Sequence, residues 1–270
     1  MPADVSVREG RIQDALAELQ QQVRDDPGNV KPRIFLFQLL AVLGDWNRAL
    51  TQLSVVGEMD AGALAMVEAY REALKCEVLR AEIFLGQRSP LVFGEPEQWL
   101  ALLTEALRLT AQGQHAQADP LRKMAFDAAP ATSGTIDGQP FEWIADADTR
   151  LGPVLEAIVN GKYYWIPFHR IRRIQIDIPT DLRDVVWMPA HLAWANGGEA
   201  VGMIPTRYSG SETSDDNQIR MARKTEWSEL GGDIVAGRGQ RMLATDAGEY
   251  PLMDVRDIQL DIIGEPKGTA

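Results

Sequence analysis

Cysteine is nearly absent from this chain: Cys76 stands alone among 270 residues. No disulfide can close within the chain, which fits a reducing compartment. Histidine is scarce as well. His115, His169 and His191 are far apart, and no Cys or His stands at metal-ligand spacing, so neither metal nor cofactor is expected. No apolar run approaches the roughly 20 residues that span a bilayer. The opening Met1-Pro-Ala-Asp-Val-Ser-Val-Arg-Glu lacks the apolar stretch of a signal peptide. Positive charge is in deficit, with 27 Lys and Arg against 39 Asp and Glu and a formal net charge of −12. The deficit is shared: 13 basic against 18 acidic over residues 1–130, and 14 against 21 over 131–270. Such a surface repels phosphate backbones. The expectation is a cytoplasmic protein with no nucleic-acid and no membrane partner.

What is present begins with helices. Val5 to Val23 sets Ile12, Ala15, Leu16, Leu19 and Val23 on one face, the spacing of an amphipathic helix. Asp26-Pro27-Gly28-Asn29 stops it. Lys31 to Leu43 is apolar almost all round, which requires cover on every side. Further helices are expected from Trp46 to Val56, from an Asp60 cap to Leu85, from Gln98 to Leu109 and from Pro120 to Ala129. Gly10, Ala15, Leu16, Leu19 and Asp26 recur 34 positions later as Gly44, Ala49, Leu50, Leu53 and Asp60. A 34-residue helix-turn-helix period resembles the tetratricopeptide repeat over residues 5–60. Phe37 departs from it by standing where a small residue is usual. Ala61 departs by standing where the first copy has Pro27. No third copy follows at the same period.

Near residue 130 the composition changes. Residues 128–140 read as a Pro/Gly linker. Lys162–Pro167, Ile171–Ile178, Asp184–Trp194, Ala200–Tyr208, Gln240–Ala244 and Val255–Ile263 read as short strands. One helix is expected near residues 151–160, capped by Asp148 and closed by Asn160-Gly161. Residues 209–218 lack apolar anchors and read as a mobile loop. The fold class is α+β. A helical repeat domain (residues 1–130) precedes a β-rich domain (131–270) built as a small twisted sheet or partly open barrel.

Catalytic signatures are missing: no P-loop, no GxGxxG after a strand, no GxSxG, no HExxH. Asp146 and Asp148 could form a cation or acid–base pair, but a loop with a helix cap, neutralised by Arg150, is the simpler reading. Gly237-Arg238-Gly239-Gln240-Arg241 could cradle an anion, and reads more simply as a turn into a strand. Cys76 reads as buried packing. Most of the seven tryptophans read as core. Arg170, Arg172 and Arg173 read as strand-face charges. An array of paired helices leaves a curved groove lined by the first helix of each pair. Lys31, Ile34, Phe35, Gln38 and Ala41 are therefore the candidate partner-binding residues. Packing of this face on the C-terminal half is the equal alternative.

Several segments carry a resemblance over residues 5–262. In the first half they are EGRIQDALAELQQQVRDDPGNVKPRIFLFQLLAVLGDWNRALTQL and AYREALKCEVLRAEIFLGQRSPLVFGEPEQWL. In the second they are FEWIADADTRLGPVLEAIVNGKYYWIPF, LRDVVWMPA, GMIPTRYSGSE and GRGQRML. Together they resemble the TagJ/ImpE family of type VI secretion accessory proteins. The resemblance implies an adaptor rather than an enzyme. It implies two partners: the N-terminal helix of the small sheath subunit, and the ClpV-type AAA+ ATPase that dismantles the contracted sheath. The rival readings are a chaperone for a secreted effector and a hydrolase-type enzyme with a site at Asp146, Asp148, Arg183 and Asp184.

Overall fold

Gly10 and Gly44 end two helices in the same way. In the computed structural model, which describes residues 2–262, both lie at positive φ, 78° and 71°. At each, the glycine N–H bonds back three residues and the next N–H bonds back five. Gly10 reaches Val7 at 3.0 Å and Arg11 reaches Ser6 at 2.8 Å; Gly44 reaches Ala41 at 3.1 Å and Asp45 reaches Leu40 at 2.9 Å. This paired closure needs a left-handed residue and so selects glycine. It delimits α1 (Pro2–Arg8), α2 (Ile12–Asp25), α3 (Val30–Val42) and α4 (Trp46–Met59). The single helix expected over Val5–Val23 is therefore two. The same closure recurs at Gly86, after α5 (Leu64–Phe84), and at Gly113, between α6 (Gln98–Ala111) and α7 (His115–Ala128). The glycine closure thus recurs off period, because the 21-residue α5 carries its glycine 42 positions past Gly44. Asp60 does cap, through Gly62 N–H at 2.8 Å, but a short 3-10 turn precedes α5. α7 starts at His115 and holds Pro120 inside it. The amide that proline lacks would have reached only the first turn.

The strands are β1 (Leu91–Val92), β2 (Gly134–Ile136), β3 (Gln139–Phe141), β4 (Ile144–Asp146), β5 (Val154–Val159), β6 (Lys162–Pro167) and β7 (Ile171–Ile176). They continue with β8 (Trp187–Trp194), β9 (Glu199–Pro205), β10 (Thr225–Gly231), β11 (Ile234–Gly239), β12 (Met242–Thr245), β13 (Gly248–Pro251) and β14 (Asp257–Leu260). A nine-stranded sheet runs β1-β6-β5-β9-β8-β7-β14-β2-β3, antiparallel except for β1 beside β6. β13-β12-β4 and β10-β11 form two smaller sheets. The sheet is larger than expected and does not close into a barrel.

The helix expected near 151–160 is β5, buried at all six positions. Leu155, Ala157 and Val159 face one core and Val154 and Ile158 the other. A central strand buried on both faces reads as a continuous apolar run, which periodicity alone does not separate from a helix. Asn160-Gly161, which reads as a helix stop, is the hairpin turn into β6, with φ of 51° and 70°. Asp137-Gly138 turns β2 into β3 the same way, so the expected linker contains a strand. Asp184 and Val185 close a 3-10 turn (Leu182–Val185) rather than opening β8. The strand expected at Val255–Ile263 narrows to β14, and Ile263 lies outside the described residues. Residues 209–218 are packed. Ser211 is fully buried, and Asn217 opens the four-residue α8 (Asn217–Arg220) while its Nδ2 donates to the Gly10 carbonyl at 2.9 Å.

One apolar core crosses residue 130, joining Phe37, Leu40 and Tyr70 to Ile158, Trp165 and Trp187. The Phe37 ring meets Tyr70 at 5.6 Å and Tyr70 meets Trp187 at 5.7 Å. A large residue fits at position 37 because Tyr70 of α5, itself packed on Trp187 of β8, supplies a ring for it to pack on. Trp99, Trp165, Trp187 and Trp194 are buried, while Trp143 and Trp227 keep substantial exposure.

Candidate partner-binding cleft and the buried charge network

The first helices of the repeat units pack on the second half of the chain: α1 on the segment around residues 217–223, α3 on the 3-10 turn at Leu182–Val185 and α5 on β6. Most of the groove they enclose is filled by the chain's own second half. On α3 this divides the candidate residues. Ala41 is fully buried, and its carbonyl accepts from Arg207 Nη2 at 2.9 Å. Gln38 is nearly buried at the cleft wall. Lys31 is exposed, and Ile34 and Phe35 are half-buried. Lys31, Ile34, Phe35 and Gln38 line a cleft of about 460 Å³. Val7 of α1, Leu182 and Val185 of the 3-10 turn, and Met221 complete its apolar wall. Asp4, Arg8, Lys31, Asp181 and Arg223 also line it. Arg223 is fixed there by donating to the carbonyls of Val7 and Arg8, at 3.2 and 3.0 Å. Short apolar walls with charges of both signs suit an amphipathic segment.

Behind the cleft lies a network that no motif announced. Arg80 of α5 donates from Nε to Glu156 Oε1 at 2.6 Å and from Nη2 to Glu156 Oε2 at 3.0 Å. Arg241 donates to both Glu156 and Asp146, and Tyr163 donates its hydroxyl to Glu156. Trp187 Nε1 donates to Glu77 at 3.0 Å. Burial by itself would raise the Glu156 carboxyl. Arg80 and Arg241 outweigh it and hold the group well below the usual carboxylate range. Arg207, also buried, caps the end of α3, and burial brings it down to about 10, still charged at neutral pH. Two signals in the sequence point to this network. Glu156 interrupts the apolar run of β5, and Arg80 falls on the buried stripe of α5 with Ala73, Cys76 and Ile83.

The residues of the rival catalytic reading end on different partners. Asp146 pairs with Arg241 and accepts from Tyr208 at 3.0 Å. Asp148 is bound by Arg150, as the sequence suggested, but caps no helix. Its Oδ2 instead accepts the Gly237 N–H at 2.9 Å. The Gly237–Arg241 stretch is neither a bare turn nor an open anion site: β11 wraps the chain's own carboxylate. Asp184 accepts from the amides of Thr180 and Asp181 at 2.7 and 2.8 Å. Arg183 pairs with Asp181 and lies 4.8 Å over the Tyr70 ring. His115, His169 and His191 sit on α7, a 3-10 turn and β8. Among the described residues no cluster of three His, Cys, Asp or Glu could hold a metal, and no helix is long and apolar enough to cross a membrane.

Comparison with known proteins agrees with this architecture. The ImpE protein family model matches residues 138–259, and a tetratricopeptide repeat model matches residues 6–71. The type VI secretion system accessory component TagJ of Pseudomonas aeruginosa is 51% identical over 261 residues, covering 97% of this chain and 92% of that protein. This chain belongs to the TagJ/ImpE family. The crystal structure of protein VPA1032 from Vibrio parahaemolyticus superposes with a TM-score of 0.88 at 22% identity, covering 97% of this chain and 98% of that one. At that identity the likeness shows a shared fold. In this chain a helical repeat thus packs on its own β-rich half and leaves a cleft beside α1 and α3.

Proposed function

We propose that this chain is a non-enzymatic adaptor of the type VI secretion apparatus. In this reading it takes the N-terminal helix of the small sheath subunit into the cleft at Lys31, Ile34, Phe35 and Gln38, and links the contracted sheath to the ClpV-type AAA+ ATPase. The observation that carries it is the cleft itself, an accessible apolar seat left where the rest of the repeat groove is filled. The 51% identity to an accessory component of that apparatus supports the setting. The internal pairing of Asp146, Asp148, Arg183 and Asp184 supports a binding role over a hydrolytic one. A helix would place apolar side chains at three-to-four spacing against Ile34, Phe35 and Val185, with its polar face toward Lys31 and Asp181.

Fluorescence polarisation with the labelled sheath-subunit helix tests this. Phe35→Ala, and Lys31→Glu combined with Gln38→Ala, are each expected to weaken binding by about tenfold or more, as truncation of an interface anchor does. Circular dichroism checks that the variants stay folded. Unchanged affinity in both removes the cleft assignment. Co-purification that returns a single secreted toxin, without sheath or ATPase, turns the reading toward an effector chaperone.

A further inference from the structure

We propose that the outer edge of β10 accepts an extended, basic segment of another polypeptide as an added strand. Among the described residues β10 pairs with β11 alone. The orientation of its backbone follows from the bonds of β11. The Val235 amide donates to Thr149 Oγ1, Gly237 to Asp148 and Gly239 to Ser211, all on the side away from β10. Alternation then turns Ala236 and Arg238 toward β10, where they lie opposite Ser228 and Glu226. The N–H and C=O groups of Thr225, Trp227 and Glu229 therefore point outward. No described residue bonds them, and Glu226, Trp227, Ser228 and Glu229 are all exposed.

Among the described residues the other sheet edges are blunted. β1 has two residues. β3 has three, with Pro140 at its centre, and β13 ends at Pro251. The outer side of β4 is taken where Asp146 N–H donates to the Gly152 carbonyl at 2.7 Å. Folded proteins protect long edges in just these ways, so the regularly paired, proline-free stretch 225–229 of β10, which runs up to the bulge before Gly231, stands out.

Charge and chemistry set the occupant. The face of Thr225, Trp227 and Glu229 carries one charge, the Glu229 carboxylate, beside a Trp227 ring 39% exposed and propped on Tyr208 at 5.6 Å. On that face the opposing β11 positions are Gly239, Gly237 and Val235, which offer no cation. Lys or Arg on an incoming strand would meet both the indole face and the carboxylate. A second copy of this chain, itself at −12, would bring two acidic surfaces together. The surface is separate from the α1–α3 cleft.

The probe is a fluorescein-labelled peptide of alternating Arg and Val, with a twin N-methylated at alternate residues so that charge stays and pairing is lost. The full-length protein is expected to bind the first saturably and the twin at least about tenfold more weakly, a loss of one or two net hydrogen bonds. Hydrogen exchange is expected to slow at the amides of Trp227 and Glu229. Glu229→Lys is expected to weaken binding by about fivefold or more, in line with one charge-assisted contact. Equal binding of both peptides reduces the effect to bulk electrostatics and overturns the proposal. So does saturable binding without protection at those amides, absence of binding, or self-association that protects them without peptide.

Discussion

Arg207 closes the end of α3 from the far side of the chain. Its Nη1 donates to the Val42 carbonyl at 2.7 Å and its Nη2 to the Ala41 carbonyl at 2.9 Å. Arg223 does the same at the end of α1. The 34-residue repeat is thus met by two arginines, 16 positions apart, on the segment that follows β9. Arg207→Met keeps much of the bulk but strands the carbonyls of Val42 and Arg220 and leaves that of Ala41 with the Gly44 N–H alone. Each unmet buried acceptor costs about 1–3 kcal/mol. Chemical denaturation is expected to show a loss of about 3 kcal/mol or more, with Arg223→Met, at a more exposed site, losing less.

Glu156 ties α5 to the sheet, and its pH dependence has a definite sign. Its folded carboxyl lies below the unfolded value, through Arg80 and Arg241 acting against burial. Its stabilisation is therefore complete above about pH 4.5 and is lost as pH falls toward the folded value. Glu156→Gln leaves two buried guanidinium groups without their shared anion. That is expected to cost about 3–5 kcal/mol at pH 7. Below pH 4.5 the variant's stability should fall less steeply than the wild type's. Parallel pH profiles would refute this account of the network.

Cys76 is a packing thiol. Burial, then the nearby Glu77 and Glu72, pushes it up to about 12. Its Sγ lies 3.6 Å from the Gly161 carbonyl at the β5–β6 turn. Native protein at pH 8 is expected to resist a disulfide reagent, and denatured protein to react at once. Fast labelling of the native state would show this junction to be open.

Two left-handed glycines make a controlled pair. At Gly239, φ is 95° and an added Cβ would lie 1.8 Å from the Lys224 carbonyl oxygen; at Gly113, φ is 73° and nothing lies within 4 Å. Gly113→Ala is expected to cost about 1–2 kcal/mol, the conformational penalty alone. Gly239→Ala adds a collision with backbone and is expected to cost well above that, about 4 kcal/mol or more. Thermal melts of both variants test the contrast.

The helices were readable because apolar spacing and glycine closures are local. The repeat at Gly10 and Gly44 marked two helix ends even where periodicity suggested one long helix. β5 reads as a helix for an equally local reason: Pro153, a continuous apolar run and Asn160-Gly161 satisfy helix and hairpin rules alike. The candidate site was half legible. Counting along the repeat puts Lys31, Ile34, Phe35 and Gln38 together, and the structure lines one cleft with them. Counting cannot show that Ala41 lies under Arg207, 166 positions away.

The amino-acid sequence alone determined most of the helices, the repeat, the excess of acidic side chains and the family resemblance, because these depend on neighbours a few residues apart. Tertiary structure alone decided which face of α3 stays open, which carboxylates meet which arginines, and that β10 keeps a bare edge. Those outcomes depend on burial, and burial is set by segments that meet only when the sheet folds into the inner face of the repeat.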